Sequence, residues 1–420
     1  MNKGILGFKV FCRRKSACKA VAMISALAML SVGAFPALAA GYSGPVLDNV
    51  NGGASIVQST DNVTKSGGGM SATLSLLGGK SGLIDWSALN IGNGQSLSFQ
   101  GGNFYNVVQG GNASQIAGTL KASGSLWIFN PAGISFINGA QIDVGGVLSA
   151  AAAGLSNHDA MFDAINSSYA AYLASSETAT WDVPAAKFGT PEGNVRVEAG
   201  TVFNGNVSLL GRQLSVSEGA TFNGDLTLAA VGGQTDVDEI SGGKVSISIN
   251  DFADVDSDIN VTFEAATGEY AGSSLEVGGD LNVIADGSIY VQGAVKADGD
   301  IVFKTVAKSG SEVVAGYKQM SVASGKLLQG KSVSATAAGR IQVDGDIEAV
   351  GDIDLDSGLY AAVDGSVVSH NGNVNIEAVG NVNVAGNIAA QDVTFSGTKA
   401  TVAGNITGND LAVKSADGTS

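Results

Sequence analysis

No proline follows Pro191, and a soft repeat runs through the chain beyond it. "VFNGNVSL" at Val202 returns as "TFNGDLTL" at Thr221. "GDLNV" at Gly279 returns as "GDIVF" at Gly299, and "GDIDL" at Gly351 as "GNVNI" at Gly372. "GNIAA" at Gly386 returns as "GNITG" at Gly404. A turn followed by a short Val/Ile/Leu strand, at a period that drifts around 20, is the signature of a solenoid. Parallel strands need a crossover of a dozen or more residues, normally a helix. Helical patterns are missing here, so the rest of each coil must supply the crossover. The expectation is an all-β fold, a right-handed parallel β-helix (solenoid) from about residue 45 onward. Roughly 15 to 18 coils at about 4.8 Å each would stack into something on the order of 80 Å long. Its inward set should include Leu226, Leu228, Leu281, Val283, Ile301, Phe303, Ile353, Leu355, Val374 and Ile376. The competing architecture, an antiparallel sandwich, would show more hairpin turns and no drifting echo. Glycine, 60 of 420 residues, supplies the many turns, and five prolines leave the ladders uninterrupted.

The segment from Met1 to Ala40 is a different polymer. Lys3, Lys9, Arg13, Arg14, Lys15 and Lys19 make its first half basic, and Ala20 to Leu38 is almost wholly apolar or small. Ala37-Leu38-Ala39 gives the small-x-small pattern of a secretory signal peptide, with cleavage expected at Ala39 or Ala40. Its removal takes six of the 22 basic residues and none of the 38 acidic ones. The net charge of -16 thus falls to about -22, which argues against nucleic acid as a partner. Cys12 and Cys18 both lie in this leader, so the exported part has no disulfide to lock it.

One segment breaks the β pattern. Met161, Ile165, Tyr169 and Tyr172 stand at helical spacing, predicting a short helical excursion near 156–177. Ser156 is placed to cap it, with Asp159 in the first turn. Ahead of it lies "SLWIFNPAGISF", Ser125 to Phe136. Leu126, Trp127, Ile128 and Phe129 form a strand buried on both faces, and Asn130-Pro131-Ala132-Gly133 a type I turn. Asn130 can bond the backbone two residues on.

No catalytic constellation emerges. With only His158 and His370 and no cysteine beyond the leader, a zinc site is not expected, nor any other metal or cofactor. His158 is expected on the surface. The acidic run "DFADVDSD", Asp251 to Asp258, lacks the glycine and terminal glutamate of a calcium loop and is expected to be solvated. A β-helical polysaccharide-active enzyme is the rival class. It needs a basic residue beside an acid cluster, and Arg196, Arg212 and Arg340 stand in none.

"IDWSALNIGNGQSLSFQ" (Ile84 to Gln100) and "NVVQGGNASQIAGTLKASGSLWIFNPAGISFINGAQIDVGGVLSA" (Asn106 to Ala150) resemble the N-terminal secretion domain of filamentous-haemagglutinin-like exoproteins of two-partner secretion systems. The family pattern W-x-x-F-N-I-G, N-x-V, G-x-L-x-A-x-G-x-[LV] and N-P-N-G-[ILV] falls on Trp86, Leu89 to Gly92 with Asn90, Asn106 to Val108, Gly118 to Leu126, and Asn130 to Ile134. Leu89 stands where the family usually has Phe, and Ala132 where it usually has Asn. The resemblance implies a secretion motif of Trp86, Asn90, Asn106, Asn130, Pro131, Ala132, Gly133 and Ile134. It also implies a route. The leader passes the Sec translocon, and a dedicated outer-membrane transporter β-barrel takes the unfolded chain from the periplasm. The exoprotein then folds outside and binds a host cell-surface glycan or protein. The implied organisation is a signal peptide over 1–40, the two-partner secretion domain over 41–155, the helical excursion over 156–192 and repeat coils over 193–420. The chain stops just after a strand, "LAVK", without a polar cap, which fits an array that continues. An autotransporter-type passenger is the further alternative, though no barrel pattern follows.

Overall fold

The computed structural model describes residues 42–48, 53–175, 180–233, 235–240, 244–249, 259–307 and 318–415. The leader with Ala39 and Ala40, and the acidic run from Asp251 to Asp258, lie outside the described residues.

The described residues form a parallel β-solenoid of about 15 turns with a single α-helix among them. A representative coil has three short strands: Ile341–Val343, Asp346–Ala349 and Ile353–Ser357. Each pairs in parallel with its counterpart one coil on, Ile341 with Ala361, Ile347 with Val367 and Ile353 with Val374. The first strand type stacks into an 11-stranded sheet, and the other two types belong to a 27-stranded sheet.

Side chains that alternate along each strand put one set inside. Leu226, Leu281, Ile301, Val333, Ile353, Val374 and Val393 stand in unbroken register down one column and are all buried. Every residue of the predicted inward set is likewise buried. Phenylalanines stack where they recur in register, with the Phe203 and Phe222 rings 4.5 Å apart and nearly parallel. Each such burial contributes about 1.5–3 kcal/mol, and none of it depends on contacts beyond adjacent coils.

The corners explain the Gly-Asp and Gly-Asn echoes. Side-chain oxygens at these corners accept backbone N–H groups of the next coil: Asn206 from Asp225, Asp225 from Asp280, Asp280 from Asp300, and Asp352 from Asn373, at 2.8–3.0 Å. At a second corner the glycines are required by space. A Cβ on Gly365, Gly386 or Gly404 would lie 1.7–1.8 Å from the carbonyl oxygen of the glycine one coil earlier.

The parallel ladders begin later than residue 45. Gly44–Leu47 pairs antiparallel with Ala54–Ser59, which pairs antiparallel with Ser81–Leu89, and Val63–Gly68 forms a hairpin with Ser71–Leu76. The first coil has no predecessor to pair with, and these strands run back over its open edge. Parallel pairing starts where Ser71–Leu76 meets Ser96–Gln100 and Ser81–Leu89 meets Asn103–Val108. A second antiparallel patch, Thr235–Ile240 with Lys244–Ile249 and Lys187–Phe188, stands apart as a three-stranded sheet.

The three longest departures from the coil all leave from one corner. It lies between a strand of the 27-stranded sheet and the next strand of the 11-stranded sheet. The departures run from Ala151 to Asn194, from Ala230 to Asn260 and from Thr305 to Met320. The first carries helix α1, His158–Ser175, within the predicted 156–177. Met161 and Ile165 are fully buried and Tyr169 nearly so, as the spacing predicts. Ser156 does not cap the helix. Its hydroxyl donates to the Lys187 carbonyl, and Asn157 is bonded through both side-chain ends to Ala185 and Lys187. The returning strand competes for both polar side chains and wins.

Candidate functional site

The residues of the implied secretion motif lie on adjacent early coils, and buried amides join them. Trp86 and Asn106 are both fully buried. The Trp86 indole N–H donates to Asn106 Oδ1 at 3.0 Å, and Asn106 Nδ2 donates to the Trp127 carbonyl at 3.0 Å. One asparagine thus ties three successive coils, since strands Ser81–Leu89, Asn103–Val108 and Leu126–Phe129 are neighbours in that order. A buried amide of this kind is tolerated only when it is bonded at both ends.

The turn after Phe129 is built the same way. Asn130 Oδ1 accepts the Ala132 N–H at 3.0 Å, and the Gly133 N–H closes the turn on the Asn130 carbonyl at 2.9 Å. Ala132 keeps a negative φ, as a type I turn requires, and is exposed at the tip. Asn130 Nδ2 reaches back to the previous coil, donating to the Asn112 carbonyl at 3.1 Å and to Ser114 Oγ at 3.0 Å. Gly133 has φ +114°, and a Cβ there would sit 2.9 Å from the Asn194 carbonyl of the following coil. Pro131 is half-buried and Ile134 fully buried. Asn90 lies apart from the Trp86–Asn106 chain, and its Oδ1 accepts the Gln115 N–H at 2.8 Å.

The outward face of the same strands is covered, which accounts for burial on both sides of Leu126–Phe129. Leu83, Trp127, Phe129, Leu210 and Ala229 meet Met161 and Ile165 of α1 and Phe188 of the returning strand. The Phe188 ring lies 5.0 Å from Phe129 and 6.1 Å from Trp127. Tyr172 and Trp181 fold over Gly78 and Gly79, where any Cβ would strike their rings.

A charged clasp between residues far apart in the sequence holds this cover. Asp85, fully buried between Ile84 and Trp86, accepts from His158 Nε2 at 2.7 Å and from Gln58 Nε2 at 2.6 Å. His158 also meets Asp159 at 2.8 Å. The bond to Asp85 raises the imidazole from its usual 6.5 to about 9, against the effect of burial, and Asp159 adds to the rise. At neutral pH the ring is an imidazolium that donates from both nitrogens. His158 is therefore no free surface residue. The signal was present in "LIDW": a carboxylate inside an apolar strand needs a cation, and this chain has few to offer. Among the described residues no group of His, Cys, Asp and Glu could hold a metal ion.

The TPS secretion domain family model matches residues 52–291, from the first strands through α1 and into the repeat coils. The chain belongs to the TPS secretion domain family. It is thus a two-partner secreted exoprotein, exported through the outer membrane. A 70-residue segment, 16% of this chain, is 43% identical to a heme/hemopexin-binding protein of Haemophilus influenzae and spans 8% of that protein's length. The crystal structure of the HMW1 secretion domain from Haemophilus influenzae shares the fold. It has 17% identity and a TM-score of 0.51 over 86% of this chain and 99% of that one. The filamentous hemagglutinin secretion domain aligns over 84% of this chain and 94% of its own, at 14% identity and a TM-score of 0.30.

Proposed function

We propose that this chain is an adhesin whose first coils serve both as the export signal read by a dedicated outer-membrane β-barrel and as the nucleus on which the solenoid folds outside the cell. The leader feeds the Sec translocon, the barrel takes the unfolded chain from the periplasm, and the finished solenoid binds a cell-surface ligand without turning it over. The observation that carries this reading is the concentration of buried, doubly bonded amides in the first coils. Asn106 directs both of its side-chain hydrogen bonds, and Asn130 two of its three, to neighbouring coils, so these coils acquire one register before the simpler repeats stack on them. In an extended chain the same amides and the Asn130 to Ile134 segment are open to a partner.

The test is the amount of Asn130→Ala in the culture supernatant, with the transporter present, against Asn204→Ala. Asn204 is exposed on a repeat coil and bonds only Asn223 among the described residues. Export of Asn130→Ala is expected to fall sharply while the control is exported like wild type. Equal export of the two would leave the turn as no more than a corner.

A further inference from the structure

We propose that a groove on the later coils binds a linear, uncharged saccharide; this rests on the reading of the chain as an extracellular binding protein and names the surface that does the binding. The groove has a volume of about 540 Å3 and lies along the corner between two strand columns of the 27-stranded sheet. Its wall is the outward column Glu276, Lys296, Gln329 and Glu348, which are consecutive register partners on four successive coils. Polar side chains therefore present themselves about every 4.8 Å along the groove. That spacing suits successive rings of an extended pyranose chain.

Three of the lining groups are left without work. Lys296, Asp298 and Gln329 have no side-chain hydrogen-bond or ion-pair partner among the described residues. Elsewhere on the outer surface, polar neighbours in register bond to each other. Asn375 donates to Asp354, Asn223 to Asn204, and Arg340 joins Gln319 to Tyr360. The free set comprises a donor, an acceptor and an amide that is both, which is what vicinal hydroxyls require. Acids (Glu276, Asp298, Glu348) and bases (Lys296, Lys331) are interspersed along the groove, and Glu348 is already paired with His370 at 2.6 Å, so the groove has no strong positive field to hold a polyanion. The exposed side chain of Val350 adds an apolar patch that suits the C–H face of a sugar ring.

Hexamers of β-1,4-linked glucose and of β-1,4-linked N-acetylglucosamine are titrated against the purified secreted chain, with the corresponding dimers and with polygalacturonate as comparisons. Saturable binding of at least one neutral hexamer is expected, with its dimer weaker by about tenfold or more because it spans too few coils. A double Lys296→Ala, Gln329→Ala variant is expected to lose about tenfold in affinity at an unchanged melting temperature, and Thr336→Ala, outside the groove, to lose none. The proposal is overturned by no saturable binding of either hexamer at millimolar concentration, by equal affinity of the double variant, or by preferential binding of polygalacturonate. The double variant's amount in the supernatant is measured in parallel. Export at the wild-type level together with failed binding would sink the groove and leave the export reading standing.

Discussion

Asparagine 130 and alanine 132 occupy the same tight turn and do opposite things. Asn130 is fully buried and makes three side-chain hydrogen bonds, two of them to the previous coil. Turn chemistry alone makes the bond to Ala132 legible in the sequence. The bonds to Asn112 and Ser114 are not legible, because they depend on which coil lies beneath. Removing the side chain therefore costs more than the about 1 kcal/mol of a single bond, since Ser114 Oγ and the Asn112 carbonyl lose their partner. Ala132 is exposed, and an asparagine there fits the same backbone region without strain. Ala132→Asn, which restores the residue the family resemblance has at this position, should move the melting temperature by very little. If the transporter reads the turn through that side chain, export of Ala132→Asn rises above wild type. Supernatant yield at constant expression is the measurement, and an unchanged yield would show that the side chain at this position is not read.

At the scale of elements, α1 was legible as a helix but not as a cover. Its apolar spacing placed Met161, Ile165 and Tyr169 on one face, and the unalternating run "LWIF" asked for burial on two sides. Nothing in either segment said that each was the other's partner, because the contact joins residues far apart in the chain. The clasp between His158 and Asp85 makes this cover pH-sensitive in a definite direction. The folded-state pKa of about 9 lies above the ordinary 6.5. The stabilisation is fully present below about pH 6.5 and is lost as pH rises through about 9. Tryptophan fluorescence should accordingly report loosening of the contact around Trp127 between pH 7 and 10, with His158→Gln showing a much flatter profile. A wild-type profile as flat as the variant's would mean that the clasp carries no stability. Ile165→Ala, which empties a fully buried site beneath the same cover, should cost about 2–5 kcal/mol locally. Hydrogen exchange would locate that loss in α1 and its underlying strands, leaving the coils beyond Asn260 protected.

Over the whole molecule, the drifting period near 20 was enough to infer the solenoid and its inward residues, because neighbouring coils meet the same few demands each time. The antiparallel start was hidden for the complementary reason: it covers the open edge of the first coil, a demand that the repeats do not share. If the chain is exported unfolded and folds outside, as proposed, a covalent loop formed too early is an obstacle. Thr227 and Asn282 are outward-facing register partners on adjacent strands, at a separation compatible with a disulfide. A Thr227→Cys, Asn282→Cys pair should be exported poorly from an oxidising periplasm and recover when reductant is added. Either single cysteine should be exported normally. Undiminished export of the pair without reductant would argue that the passage admits looped chain.

The shared corner from which the three departures leave has one more consequence. Leu226 and Leu281 are register partners although the whole departure from Ala230 to Asn260 lies between them, whereas Ile353 and Val374 are partners with one plain coil between. The spacing of the stack is thus indifferent to how much chain is spliced in at that edge. Mutation can lengthen, shorten or exchange such a branch without shifting the phase of any strand behind it. A lineage under pressure to change its exterior can revise one edge of this protein while its interior goes on being copied unaltered.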